Sequence, residues 1–572
     1  MISMARKGGS ESLYYLVRSV GYRLKPHGEI PARGRELARI LERPECHPKA
    51  ITPNTFVFTV LLSVGGSIIG LQVLTTLGIT PYTALIGVLL AIAVSRIPIP
   101  ALREFRSIHV QNLAQSSISA ATYGAANSLL LPIGVPVLVG RPDLLWPMLA
   151  GATLGMLIDL AMLYWLFDSR LFPGSAAWPP GVAAAEAIIA GDQGGHGGRL
   201  LIAGAVTGVL GSSAGLPMAA LGTAFIGNIW ALCMFGVGLL VRAYSPSLLH
   251  VDINKLFIPH GLMIGAGLVA LTQAVLLILP GRRGHAPVNQ DGFTRSEGFV
   301  RRVLAAGFGL YVAAAILVAA LSGLWVQMPL GKLVGWVLFA AVSCITAEFI
   351  VGFSAMHAGW FPTFATALIF LLLGMIAGFP PAATALLVGF VAAGGPAFAD
   401  GGYDLKAGWY LRGWGQYPDF DLEGRREQII SAAIGMLTGL VVVVLAHNAY
   451  FSHGLFPPVD RVYAATIQSV IEPSMARTLF AWAIPGAALQ IVGGAKRQLG
   501  VLFATGLLLF NPAAGWLVLA GLLFRATWIR ISGEDSETAM SIFGAGCIAG
   551  GALADFAGSV VNSHVKTSPG NR

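Results

Sequence analysis

Polar side chains gather in two stretches of this chain whose surroundings are almost wholly apolar. Residues 111–127 read QNLAQSSISAATYGAAN, and at helical spacing Asn112, Gln115, Ser119 and Tyr123 fall on one face. Amides and hydroxyls offer donors and acceptors together, which suits peptide bonds and carboxylates. The same groups also hydrogen-bond helix to helix, so lining a cavity and joining neighbours are both open for this stripe. Residues 177–192 read AWPPGVAAAEAIIAGD. Pro180 and Gly181 set a turn, a short helix follows, and Glu186 falls in the middle of its apolar run. An acid at bilayer depth costs on the order of 3 kcal/mol unless it is paired, protonated or hydrated. Glu186 is therefore a candidate proton carrier; a hydrated interfacial acid or a structural ion pair is the other reading.

Further ionisable residues interrupt apolar runs. Glu348 and His357 stand on either side of a second break, MHAGWFP, which also carries Trp360. A histidine titrates in the physiological range and suits a proton relay or a chelated metal, and it serves equally as a structural donor. Glu348, Asp404 and Asp555 join Glu186 as candidate proton-coupling acids, with Asp159 a gate or pairing residue. The candidate substrate path is Asn112, Gln115, Ser119, Tyr123, His357, Trp360 and Lys406. Lys406 suits a carboxylate or phosphate, or pairs with Asp404 in what reads as a solvated polar loop.

The elements that must position these residues are membrane helices. Of 572 residues, 55% are hydrophobic and 11% charged, with mean hydropathy +0.73. A soluble domain carries about 25% charged residues, so this chain cannot cover a water-facing surface. Apolar runs of about 20 residues recur from Thr55 onward, and roughly 14 to 17 crossings or half-crossings are expected. The alternation of membrane β-strands is absent, so the fold class is an all-α polytopic membrane protein. The 72 glycines lie within the apolar runs, and GxxxG pairs at Gly204/Gly208, Gly261/Gly265, Gly435/Gly439 and Gly546/Gly550 read as close helix packing. Cys46, Cys233, Cys344 and Cys547 are isolated, which argues against a disulfide framework or a zinc site.

Charge gives the topology. Ten Lys or Arg and five Asp or Glu precede the first span. That excess marks residues 1–54 as a basic cytoplasmic arm in contact with lipid headgroups. No cleavable signal precedes the first span. A polar, basic stretch, GRRGHAPVNQDGFTRSEGFVRR, lies almost at the centre. It divides a first transmembrane half (55–280) from a second (303–561), with 281–302 as the connecting loop and 562–572 as a tail. Two pseudo-repeated halves with interrupted helices in both is the organisation of many secondary transporters.

Four segments resemble those of the oligopeptide transporter superfamily, which includes peptide carriers and yellow-stripe-like metal-chelate carriers. WPPGVAAAEAI resembles its Pro-x-Gly-x-Ala-x-Ala-Glu signature, and QNLAQSSISAATYGA its early Gln-Thr-x-Ser-Ala-Gly-type span. VGFSAMHAGWFPTFATALIFLL sits where the superfamily has a Val-Gly segment and an Asn-Pro-x-Ser-Gly break. GGYDLKAGWYLRG is similar to its Gln-Asp-Leu-Lys-Thr-Gly loop at Asp404, Leu405, Lys406 and Gly408. The chain departs from that pattern twice: the Asn-Pro-x-Ser-Gly break is replaced by residues 356–362, and the closing Gly-Glu reads Gly550-Gly551, with Asp555 one turn on as a substitute. The resemblance implies uptake of short peptides or metal–ligand chelates, energised by protons.

The chain carries no G-x-x-x-x-G-K-[ST] loop or H-E-x-x-H motif, so neither ATP hydrolysis nor catalysis is expected of it, and no cofactor, metal centre or nucleic-acid partner is implied. The expected function is secondary, proton-coupled transport of peptides or peptide-like and metal-chelate solutes across the cytoplasmic membrane. An integral-membrane transferase and an uncoupled channel are the competing classes, and a homo-oligomer is compatible with the composition. The charge asymmetry predicts that residues 1–54 are cytoplasmic and 281–302 aqueous. Single-cysteine labelling from either side of the membrane tests both, and a label reaching residues 1–54 from outside reverses the orientation.

Overall fold

In the computed structural model the described residues run from 46 to 554, apart from 79–82, 194–195, 249, 254, 279–292, 360, 362, 470–472, 534–535, 538, 549 and 552–553. Most of the basic arm, Trp360, Asp555 and the 562–572 tail lie outside them.

The chain is helical throughout, with no strand among the described residues. In order come α1 (Pro53–Leu77), α2 (Thr83–Ser95), α3 (Ile108–Leu138), α4 (Leu145–Leu166), α5 (Pro179–Gln193), α6 (His196–Ser213), α7 (Met218–Ile226), α8 (Ile229–Leu248) and α9 (Ile258–Ile278). After the central stretch follow α10 (Glu297–Leu321), α11 (Leu330–Ala358), α12 (Thr363–Ile376), α13 (Pro381–Leu411), α14 (Pro418–Ser452), α15 (Pro458–Gln468), α16 (Pro473–Arg497), α17 (Leu499–Leu508), α18 (Pro512–Ser532) and α19 (Ala539–Ile548). Among the described residues nine helices are long and apolar enough to cross a membrane and seven more are shorter apolar ones. The chain is thus an all-α, multi-pass membrane protein.

Local chemistry sets the helix ends. Thr52 caps α1 in a reciprocal box with Thr55, Pro53 occupies the first turn, and Gly78 closes the helix at a φ of 65°. Those residues satisfy the terminal backbone groups that lipid cannot. α5 is 15 residues long, or about 22 Å, too short to span a core of roughly 30 Å. It starts where Trp178 donates its backbone N–H to the Met356 carbonyl at 2.9 Å. Gly359 ends α11 at a φ of 67°, and a side chain there would press on Pro179 and Pro180. The two interruptions read from the sequence therefore meet each other.

Two elements differ from expectation. Residues 110–131 are not a broken helix. α3 runs on through a π-helical turn, Gly124–Leu130, which keeps its backbone bonded while shifting the side-chain register. The segment around Asp404 and Lys406 is not a polar loop either, since α13 continues through it to Leu411 and every residue from Ala382 to Leu411 is buried. Its charges and glycines suggested solvent. Instead the glycines admit neighbours, Gly402 facing the Trp178 ring and Gly408 facing Arg412 and Gln428.

α13 is the pillar of the fold and contacts α3, α4, α5, α11, α12 and α14. The GxxxG pairs lie at helix crossings. Gly435 and Gly439 of α14 face the α3 backbone at Ser117 and Ala121, and Gly261 and Gly265 of α9 face α16 at Leu479 and Ala483. A Cβ at Gly265 would land on the Ala483 carbonyl. Gly265→Leu should cost about 1–3 kcal/mol by prising the helices apart. Gly309, with open space around it, is the control. Thermal unfolding in detergent should show a lowered midpoint for Gly265→Leu and a near-normal one for Gly309→Leu.

Candidate functional site

A cavity of about 600 Å³ lies inside the bundle, lined by residues from both sides of the central stretch. This is the size of a small-molecule site. The first half contributes Gly78 at the end of α1, Asn127 from the π turn of α3 and Asn228 before α8. The second contributes His357 and Gly359 at the end of α11, Asp400 and Tyr403 of α13, Tyr463 of α15 and Gln498. The π turn thus sets an amide against the cavity. Pro396 also lines it, and because proline has no N–H, the Ala392 carbonyl one turn earlier loses its helical donor beside the same space.

From the cavity a polar seam runs between α3 and α13. Tyr123 is fully buried with its hydroxyl close to Gly401. One turn further along α13, Asp404 accepts from Gln115 Nε2, and Gln115 Oε1 accepts from Asn112 Nδ2 at 3.0 Å. Ser119 bonds Thr83 of α2 at 3.0 Å. Gln428 of α14 donates to the Asp404 carbonyl and to Ser116 Oγ. The amide stripe therefore joins α3 to α13, α2 and α14, as interhelical hydrogen bonding requires.

The seam ends in an ion-pair cluster. Arg412 Nε donates to Asp421 at 2.7 Å and its Nη1 to Gln428 at 3.1 Å. Arg425 pairs with Asp421 at 2.8 Å and Asp168 at 3.5 Å, and donates to the Phe167 carbonyl and Thr294. The Arg412, Asp421 and Arg425 side chains are at most 1% exposed. The segment before α1 closes over this end, its backbone at His47 and Ala50 donating to Glu423 and Glu427. The His47 ring packs at a tilt against those of His109 and Phe420. The cluster thus lies at the Pro53 end of α1 and the cavity at the Gly78 end.

The remaining candidates are scattered. His357 borders the cavity; Gln115, Ser119, Tyr123 and Asn112 belong to the seam beside it. Lys406 is buried and faces neither. Its ammonium donates to the carbonyls of Gly174 at 2.7 Å and Ala176 at 3.0 Å and sits 4.2 Å from the centre of the Trp409 ring. It pins the loop before α5 and does not pair with Asp404. Glu348 is buried beside Asp159, and Tyr311 donates its hydroxyl to Asp159. Glu186 lies on the outer side of α5 with Ala183, while Val182, Ala184, Ala185 and Ile188 face inward. The apolar burial expected around it is therefore missing, because the inward stripe of α5 falls on its alanines and isoleucines.

Sequence reasoning missed Asp400 and Tyr403, and also the arginine–aspartate cluster. Asp400 precedes Asp404 by four residues, the spacing of one helical face, and that signal was available once the segment is read as helix.

The fold defines a polytopic membrane protein with a cavity bordered by helices from both sides of the central stretch. The sequence profile of the OPT oligopeptide transporter protein family matches residues 216–562. That is more than half of the chain, which belongs to this family; its members are membrane transporters, not enzymes. The match covers the segments around His357 and Lys406, while those around Gln115 and Glu186 lie upstream of it. No curated protein matches the chain.

Burial, with Arg412 nearby as the lesser cause, lowers the His47 imidazole from its usual 6.5 to about 4. A depressed histidine favours the folded state while neutral, so this contribution is present above 6.5 and declines as pH falls toward 4. His47→Gln should flatten that part of the stability profile. Unfolding midpoints of both proteins between pH 7 and 4 check it; parallel curves would mean that His47 is not linked to folding.

Proposed function

We propose that the chain is a proton-coupled secondary carrier of short peptides or of peptide-like and metal-chelate solutes, held in the cytoplasmic membrane with residues 1–54 inside. Its partners are the solute, protons and surrounding lipids. The observation that carries this reading is the position of the cavity, bordered by both halves and separated from the arm end of the protein by the Arg412–Asp421–Arg425 cluster. A carrier exposes its site to one side at a time. The cluster acts as the closed gate, and the cavity belongs to the opposite, outer side.

Protons reach the working parts through acids that are already buried. Asp404 touches Gln115 in the seam between the cavity and the gate. Glu348 shares a helix with His357, nine residues earlier, and is buried beside Asp159. Ionisation of both carboxyls sets like charges against each other between α4 and α11, and α11 carries the cavity wall at His357. Glu186, on the outside of α5, is the weaker candidate on these grounds.

Reconstituted protein tests the reading. Peptide or chelate uptake into liposomes should become concentrative only when an inward proton gradient is imposed. Glu348→Gln should retain solute exchange and lose most gradient-driven accumulation. Accumulation independent of the gradient removes proton coupling from the reading, and flux that never saturates favours a channel.

A further inference from the structure

The α13 wall of the cavity is rich in acceptors and, among the described lining residues, is matched by no lysine or arginine. Asp400 is the one acidic side chain of that lining and is only 5% exposed. Thr83, whose hydroxyl bonds Ser119, lies beside it, which leaves most of a carboxylate's acceptor capacity for other donors. Two turns earlier stands the Ala392 carbonyl that Pro396 cannot serve, about 12 Å away along the helix at 1.5 Å per residue. Tyr403, Phe361, Phe364 and Tyr463 bring aromatic faces to the same space.

A carboxylate in such a wall is poorly compensated by the protein alone. A ligand carrying its own cation restores the balance, and aromatic faces favour the same charge. The carbonyl further along suits an N–H of the ligand, and Asn127 and Gln498 offer both donors and acceptors for amide groups.

We infer that Asp400 receives the α-ammonium group of a short peptide, so that the cavity selects solutes by their free amino end. This rests on the transporter reading above and narrows it. No lysine or arginine in the described lining answers a terminal carboxylate, and His357 is the one titratable donor there, so the other end of the peptide is read less strictly. A solute whose exterior is mainly carboxylate meets Asp400 with like charge and is disfavoured.

Three tripeptides test this in proteoliposomes loaded for counterflow of labelled trialanine: unlabelled trialanine, N-acetyl-trialanine and trialanine amide as competitors. Trialanine and its amide should compete alike, and the acetylated form ~10-fold more weakly, the scale of a hydrogen bond to a charged group. In Asp400→Asn, which keeps the side chain's shape, that gap should close through weaker competition by the two free amines, while N-acetyl-trialanine competes as before. Equal competition by all three in the wild-type protein overturns the assignment without any variant, and a gap that persists in Asp400→Asn overturns the role of this residue. Either result leaves peptide transport itself standing. Absence of saturable trialanine counterflow in the wild-type protein overturns both.

Discussion

Everything in this bundle must accommodate one helix enclosed by its neighbours. α13 is buried from Ala382 to Leu411 yet carries Asp400, Asp404 and Lys406 within seven residues, with Arg412 immediately after. In a low-dielectric interior each such group costs several kcal/mol unless neighbours meet it. The surrounding helices are arranged to do so. α3 supplies Gln115, α2 supplies Thr83, α14 supplies Gln428 and Asp421, and the loop before α5 supplies two carbonyls for Lys406. Glycines at 401, 402 and 408 let those neighbours come close enough.

The same constraint divides the interior. Where complementary charges surround α13, the packing is tight and forms the proposed gate. Where Pro396 interrupts the helical bonding and the nearby wall is aromatic, space remains. Cavity and gate are consecutive stretches of one helix, so motion of α13 relative to α3 and α14 alters both together. Interfaces built from discrete ion pairs switch between arrangements rather than deform gradually. The proposed alternating access uses that coupling.

Much of this was legible in the sequence. Hydropathy identified an all-α membrane protein, GxxxG spacing identified helix crossings, and the motifs pointed to the family. Proline and glycine punctuation marked the two interruptions, which do touch. The errors share a physical origin. Apolarity was read as burial and charge as exposure, which held for neither Glu186 nor the 400–411 segment. Charge at bilayer depth is tolerated when partners from distant helices satisfy it, and such partners lie hundreds of residues away. Gln115 and Asp404 are 289 positions apart, and no local spacing rule reports on that pair. The π turn that brings Asn127 to the cavity is likewise a backbone event with no compositional mark.

Lys406 has one more consequence, for assembly of the protein. Its ammonium is held by carbonyls at Gly174 and Ala176, more than 200 residues earlier in the chain. During synthesis that loop and the half-length α5 leave the ribosome long before their anchor exists, on the order of ten seconds or more at roughly 5–20 residues per second. Until α13 arrives, this half-length helix has, of the elements already made, α2 and α3 to pack against. The loop before it gains its lysine anchor only once the pillar is in place.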